Sequence, residues 1–224
     1  MGETIQLTAA DGHTLDTYLA RPPAAPRGGV VVVQEIFGVN SHIRAVCDRF
    51  AAAGYLAVAP AIYDRIERDV QLGYAPEDIA RGRDIRGKCA MEDVLRDVAA
   101  AAEKAAEAGK VGIVGYCWGG LIVYVAACRM GDKLSCASGY YGGNIVSYLN
   151  EKPAVPLILH FGALDASIPM ADIDRIRAAH PDMRVHVYEG ADHGFNCDQR
   201  RQFNDEAARI AQRRTLDLFA THLA

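Results

Sequence analysis

The sequence of 224 residues lacks the features that mark membrane, secreted and repeat proteins. Its longest apolar runs fall well short of the roughly 18 to 20 residues that a helix needs to cross a bilayer. Its first residues show no basic region followed by an apolar core, which argues against a secretory signal. No internal repeat, linker or shift in composition divides the chain. We therefore expect a cytoplasmic protein with no membrane partner, folded as one domain over residues 1–224.

A strong charge imbalance is also absent. The chain has 24 Lys and Arg against 28 Asp and Glu, which gives a net charge of −4, and the basic residues are scattered among acids. A protein that binds nucleic acid needs a basic face to neutralise phosphates. The composition therefore predicts no nucleic-acid partner.

The six cysteines are widely spaced and include no CxxC pair. In a chain of this length, that pattern indicates free thiols in a reducing compartment. No group of Cys, His and acidic residues has the spacing of a metal site, and the nearest approach is His193 with Cys197 and Asp198. We expect neither a metal nor another cofactor.

What the sequence does contain is an alternation of strand and helix patterns. A hairpin is predicted over 4–20, around the turn residues Asp11 and Gly12. Further strands are predicted, in chain order, over 30–37, 55–63, 110–116, 136–143, 155–163 and 184–190. Helices are predicted over 42–54, 91–108, 118–129, 170–180 and 204–222. This order indicates an α/β fold with a mostly parallel central sheet, an antiparallel N-terminal hairpin and helices on both faces.

Two predictions concern local structure. Ser41 is expected to cap the helix over 42–54, and Gly54 is expected to end it. Residues 64–90 are polar without a clean period, so no element is predicted there. Two alternatives remain for this segment, a lid over the site or a plain surface excursion.

The stretch with the clearest chemistry is residues 112–120, which read GIVGYCWGG. A predicted strand precedes Cys117 and a predicted helix follows it, in the pattern G-x-S-x-G with Cys in place of Ser. Gly115 and Gly119 permit a turn so sharp that larger side chains would collide with the neighbouring backbone. The thiol would lie at a helix N-terminus, where the N–H groups and the helix dipole favour an anion. The sequence predicts that Cys117 is a nucleophile rather than a buried structural cysteine.

A nucleophile of this kind needs a base and a group that orients the base. In α/β-hydrolases the acid and the histidine follow the nucleophile, in that order, at the carboxyl ends of later strands. Asp165 follows one predicted strand and His193 follows the last one, so they are predicted to be the acid and the base. Asp192 is a rival acid, but a residue adjacent to His193 in sequence usually points away from its imidazole.

These residues carry a family resemblance that extends over nearly the whole chain. The sequence resembles the dienelactone hydrolase family of the α/β-hydrolase superfamily in these stretches: QEIFGVNSHIR, AAAGYLAVAPAIY, GIVGYCWGG, YYGG, HFGALD, EGADHGFNC and RRTLDLF. The resemblance implies an α/β-hydrolase fold and a Cys-His-Asp triad of Cys117, His193 and Asp165. It also implies that Glu35 helps to generate the Cys117 thiolate when substrate binds. The alternative for Glu35 is a structural role at the end of the strand, in which its carboxylate reaches solvent or pairs with an arginine.

By the same resemblance, the oxyanion hole would be formed by the backbone N–H groups of Ile36 and Trp118. Family members that cleave dienelactone hold the substrate carboxylate with arginines, one of them four residues after the catalytic histidine. Cys197 stands at that position here. No arginine aligns with the other position, although Arg81, Arg83 and Arg86 are close by, so two alternatives remain: one of these, with Arg81 as the candidate, supplies the charge, or the charge is missing.

Phe37, Tyr116 and Trp118 are predicted to line the substrate pocket, with a role in the core as the alternative. The arginines near 81–86 have their own alternative as a solvated face.

The sequence thus predicts a monomeric hydrolase for a small ester or lactone that acts through an acyl-thioester intermediate. Two other classes remain open. A thiol redox or sensor protein would use the same exposed cysteine, but no resolving cysteine is evident. A binding module that has kept the fold without catalysis would be expected to lose at least one of the four candidate residues.

Overall fold

The computed structural model describes residues 2–223, so Met1 and Ala224, the two ends of the predicted domain, lie outside the described residues. Eight strands form one sheet in the order β1-β2-β4-β3-β5-β6-β7-β8. Their bounds are β1 Glu3–Thr8, β2 Thr14–Ala20, β3 Gly29–Val33, β4 Leu56–Pro60, β5 Val111–Tyr116, β6 Cys136–Tyr140, β7 Leu157–Gly162 and β8 Arg184–Tyr188.

The sheet is antiparallel at one edge and parallel elsewhere. β1 pairs with β2 and β2 pairs with β4 in antiparallel register, whereas every pair from β4 through β8 is parallel. Parallel strands must be joined by crossover connections, which helices provide here. The predicted hairpin and the mostly parallel sheet are both confirmed.

Six α-helices cover the sheet: α1 Ser41–Ala52, α2 Pro76–Gly87, α3 Met91–Ala105, α4 Trp118–Arg129, α5 Met170–Ala179 and α6 Asp205–His222. All residues of β3 to β7 are buried, as expected for strands with helices on both faces. Among the residues described, no helix is long and apolar enough to cross a membrane.

The structure corrects two local predictions. Asn40, not Ser41, caps α1, and its side chain accepts a hydrogen bond from the N–H of Ile43. The segment 64–90 contains helix α2, whose pattern was missed because only Gly82 and Ile85 of its twelve residues are buried. Its start is stabilised by Asp78, which accepts the backbone N–H of Ala75 at 3.2 Å. Local capping and tertiary packing, not an apolar stripe, thus hold α2 in place.

The connection from β5 to α4 brings backbone segments very close together. A Cβ atom added to Gly115 would lie 2.2 Å from the carbonyl oxygen of Gly119, and one added to Gly119 would lie 2.5 Å from the carbonyl oxygen of Val33. Since no real Cβ atom approaches a carbonyl so closely, helix α4 can start here only because both residues are glycine.

We predict that Gly115→Ala destabilises the fold by about 1–3 kcal/mol, because the new methyl group must push α4 away from the sheet. Chemical denaturation followed by circular dichroism measures this free energy of unfolding. The matched control is Gly87→Ala, since a Cβ there meets nothing within 4 Å. This control should be unchanged or up to about 1 kcal/mol more stable. Equal effects of the two substitutions would contradict the packing explanation.

Candidate active site

Cys117 occupies the turn between β5 and α4. Its φ of 56° and ψ of −117° lie in a region that residues other than glycine rarely adopt. The backbone N–H of Cys117 donates to the carbonyl of Tyr140 at 3.0 Å, which anchors the turn to the neighbouring strand β6. Backbone strain of this kind concentrates at functional sites, because the surrounding structure must hold it in place. The side chain is partly exposed at the N-terminus of α4.

His193 and Asp165 meet at the same edge of the sheet, although they are 28 residues apart. The ring nitrogen Nδ1 of His193 lies 2.7 Å from Oδ2 of Asp165, and Asp165 also accepts hydrogen bonds from the N–H and hydroxyl of Ser167. Burial raises the pKa of Asp165, but the bonds and charge of His193 and Ser167 hold it below its ordinary value. Asp165 is therefore an anion that orients the imidazole.

Cys117 lies close enough to His193 for its charge to act on the imidazole. Burial favours the neutral imidazole. The interaction with Cys117 and the hydrogen bond and charge of Asp165 outweigh the effect of burial and raise the pKa of His193 to about 10. The three side chains form one chain of contacts, from carboxylate to imidazole to thiol.

Asp192, the alternative candidate for the acid of the triad, contacts the backbone and not the ring of His193. Its Oδ1 accepts the backbone N–H of His193 at 2.6 Å and so stabilises the turn that carries the histidine. Asp165 is the carboxylate that contacts the ring. The order predicted from chain position therefore agrees with the observed contacts.

Glu35 follows β3 and is fully buried. Its Oε1 lies 3.4 Å from Nη1 of Arg200, whose guanidinium carbon lies 5.7 Å from the ring centre of Phe37 and 5.5 Å from that of Tyr74. A buried carboxylate requires such a partner, because an isolated charge is costly to remove from water.

The sequence pattern did not identify Arg200, because the position four residues after His193 is occupied by Cys197. The sequence feature that could have indicated Arg200 is its position in the same loop, seven residues after His193.

Tyr63 contacts both residues whose backbone N–H groups are expected to stabilise an oxyanion, Ile36 and Trp118. The carbonyl of Ile36 accepts the hydroxyl of Tyr63 at 3.1 Å, and this hydroxyl also bonds to the carbonyl of Gly82 in α2. The ring of Tyr63 stacks on Trp118 with centroids 5.5 Å apart. Trp118 is the first residue of α4, where backbone N–H groups have no intrahelical acceptor. Tyr63 and helix α2 therefore hold the carbonyl of Ile36 in place.

The predicted substrate-binding residues lie in different environments: Phe37 beside Arg200, Tyr116 in the core and Arg81 at the surface. Phe37 contacts Tyr74 and lies under Arg200, next to Glu35. Tyr116 is only 3% exposed and packs against other rings of the core, so its position fits the core alternative. Arg81 is exposed and pairs with Glu67, which fits the solvated-face alternative.

Two other features of the structure, a possible metal cluster and a cavity, do not include Cys117, His193 or Asp165. Among residues 2–223, ligand type and spacing identify one cluster that could hold a metal ion, Glu35 with His42 and Cys197, and not the His193 cluster considered from sequence. A cavity of about 840 Å³ opens between Leu157, Arg184 and Arg214, and its lining includes none of the candidate catalytic residues. Chemistry rather than cavity size therefore identifies the candidate active site.

Comparisons with known proteins identify the family of the chain. The model of the dienelactone hydrolase family matches residues 15–223. A Synechocystis sp. protein provisionally named carboxymethylenebutenolidase is 39% identical, with 92% of this chain and 91% of the relative covered. The Pseudomonas putida carboxymethylenebutenolidase is 34% identical over 97% of this chain and 96% of its own.

A solved structure from Klebsiella pneumoniae, provisionally named dienelactone hydrolase, gives a TM-score of 0.86 at 32% identity, covering 98% of this chain and 100% of that one. The similarity and the sheet order together confirm the predicted fold class. The chain therefore belongs to the dienelactone hydrolase family and is a carboxylic ester hydrolase with an α/β-hydrolase fold.

Proposed function

We propose that this protein hydrolyses a small carboxylate-bearing lactone or ester through an acyl-thioester on Cys117. The observation that carries the proposal is the chain of contacts from Asp165 through His193 to Cys117. A positioned nucleophile, a base within hydrogen-bond reach and a group that orients the base are the minimum for acyl transfer.

In the first half of the reaction, the Cys117 thiolate attacks the carbonyl carbon of the substrate. The N–H groups of Ile36 and Trp118 stabilise the negative oxygen of the tetrahedral intermediate. His193, as imidazolium, donates a proton to the leaving oxygen, and the thioester forms. In the second half, neutral His193 takes a proton from water, which attacks the thioester and releases the acid and the thiolate.

Glu35 has the role of proton acceptor from the Cys117 thiol when substrate enters. Arg200 lies beside Glu35, and the charges of Glu35 and Cys117 both raise the pKa of the Arg200 guanidinium. A substrate carboxylate that binds Arg200 would compete with Glu35 for this guanidinium. Glu35 would then be freed to take the thiol proton at the moment when substrate is present.

The substrate class follows from Arg200. Its side chain is 11% exposed and already packed against two rings, so little conformational entropy is lost when it binds an anion. Guanidinium binds carboxylate well because its N–H groups match the two oxygens. The name of the Pseudomonas putida relative, carboxymethylenebutenolidase, describes a lactone with a carboxylate and supports this class.

The first prediction concerns the nucleophile. Cys117→Ala should lower the turnover of p-nitrophenyl acetate and of cis- and trans-dienelactone by at least about a thousandfold, because no thioester can form. Stopped-flow absorbance measures all three reactions, and Cys128→Ala on the far end of α4 is the control. Unchanged ester turnover in Cys117→Ala would remove the proposed mechanism and favour a non-catalytic binding module.

The second prediction concerns pH. Because the pKa of His193 is raised to about 10, the imidazolium that protonates the leaving group persists up to that pH and is lost above it. The profile of kcat/KM against pH should therefore fall on its alkaline side near pH 10. Asp165→Asn removes a charge that raises this pKa, so its alkaline limb should move to lower pH and kcat should fall, by up to about ten-thousandfold. An alkaline limb that stays in place would contradict the role of Asp165.

The third prediction tests the carboxylate site. Arg200→Gln should raise KM for the dienelactones about 10- to 100-fold, since a hydrogen bond to a charged group contributes about 1.5–3 kcal/mol. The KM for the uncharged p-nitrophenyl acetate should change much less. Arg201→Gln, at the exposed neighbouring position, is the matched control and should leave both constants near those of the wild type. Equal losses on charged and uncharged substrates would assign Arg200 a purely structural role.

A further inference from the structure

A fully buried histidine lies between Glu35 and the protein surface. His42, in the first turn of α1, is 0% exposed, and its Nδ1 lies 3.5 Å from Oδ1 of Asp198. The Asp198 side chain is 50% exposed and therefore reaches solvent. The charge of Glu35 acts on the same imidazole. His42 thus stands between a surface carboxylate and a carboxylate with no solvent contact of its own.

Several polar atoms around this histidine have no hydrogen-bond partner among the described residues. They are Oε2 of Glu35 and both ring nitrogens of His42. A ring nitrogen of His42, a carboxylate oxygen of Glu35 and Sγ of Cys197 lie within 4.8 Å of one another. Unsatisfied buried polar atoms cost about 1–3 kcal/mol each, so a convergent group of them indicates a mediating molecule or ion.

The spacing and the charges favour water over a metal ion. Zinc bonds of about 2.0–2.3 Å place tetrahedral ligand atoms roughly 3.5 Å apart. A water with hydrogen bonds of about 2.8 Å places its partners roughly 4.6 Å apart. The ion pairs of Glu35 and His42 are with Arg200 and Asp198 respectively, not with each other, so their contact is longer than a direct one. The Arg200 guanidinium also repels a cation at Glu35.

Cys197 is a poor metal ligand in this environment. Burial, followed by the charge of Glu35, raises the pKa of its thiol to about 11, so it remains protonated. Its Sγ donates a hydrogen bond to the hydroxyl of Tyr74 at 3.2 Å. The cluster therefore offers one neutral thiol, one carboxylate and one imidazole to a bridging water.

We propose that His42 is the proton-transfer partner of Glu35, and that it connects this buried carboxylate through one water to Asp198 and solvent. The inference rests on the proposed function, in which Glu35 takes the thiol proton of Cys117. Because Glu35 is fully buried, a proton placed on it can leave only along a polar route.

The proton moves from Cys117 to solvent in successive steps. The S–H bond of Cys117 breaks and an O–H bond forms on Glu35. The bridging water receives that proton and passes one of its own to His42, which releases its Nδ1 proton towards Asp198 and solvent. One proton therefore leaves the protein for each thiolate formed. The same route, run in reverse, returns a proton when the thiolate is restored to a thiol.

The surroundings of His42 leave it in the form that can accept a proton. Burial and the charge of Arg49 lower its pKa, while Glu35 and Asp198 raise it, and the result lies below the ordinary value. The other neighbours are the neutral thiol of Cys197 and the ring of Tyr116, which packs edge-on at 6.2 Å. The imidazole is thus neutral at neutral pH and able to take a proton from either carboxylate.

The test is a double-mutant cycle on the substrate that the wild type turns over fastest. His42→Gln keeps hydrogen bonding but cannot carry a proton. It should lower kcat by about 10- to 100-fold with KM unchanged, and it should increase the solvent deuterium isotope effect on kcat. In the Glu35→Gln background it should have no further effect, because the proton no longer passes through Glu35. His222→Gln, at the end of α6, is the matched control.

The outcomes separate the relay from the proposed function. Turnover by the wild type that survives Cys117→Ala overturns both. Turnover that requires Cys117 but is unchanged by His42→Gln overturns the relay alone. Equal losses from His42→Gln in the wild type and in Glu35→Gln assign a structural role to His42 and also overturn it. Calorimetry with zinc alone adds a last check, since stoichiometric binding that His42→Gln abolishes would make the cluster a metal site.

Discussion

The close approach of β5 and α4 is the constraint on which the site depends. Gly115 and Gly119 let the two elements meet without side chains between them, and Cys117 is forced to a positive φ at the apex. In this conformation the thiol projects from the sheet at the N-terminus of α4. The candidate base and its acid can reach it because parallel strands end at the same edge. Backbone packing therefore places the nucleophile before any side-chain interaction acts.

The second constraint on the site is that its buried carboxylates must be paired with cationic side chains. Two buried carboxylates lie at this edge, and each has a cationic partner: Asp165 has His193, and Glu35 has Arg200. The partners differ in kind. An imidazole can give up its proton during a reaction, whereas a guanidinium stays charged and can only exchange one anion for another. This difference supports proton transfer at His193 and anion recognition at Arg200.

Some of the architecture could be predicted and some could not. The β-branched runs of β3 and β5 and the glycines around Cys117 are strong local signals, and the fold class followed from them. Helix α2 was missed because most of its residues are exposed and its start is capped by Asp78 rather than by an apolar face. Yet α2 holds the Ile36 peptide, since Gly82 packs against the carbonyl of Ile36. A segment with a weak pattern thus shapes part of the site.

The sequence by itself determined which chemistry is available: a cysteine at a glycine-flanked turn, followed in order by an aspartate and a histidine at strand ends. Only the tertiary structure decided that Arg200 pairs with Glu35, that Asp192 serves the backbone, and that His42 lies between Glu35 and Asp198. The physical reason is that periodicity and turn chemistry are local properties of a chain. Contacts such as Arg200 with Glu35, 165 residues apart, arise only when loops from different strands meet at one edge of the sheet.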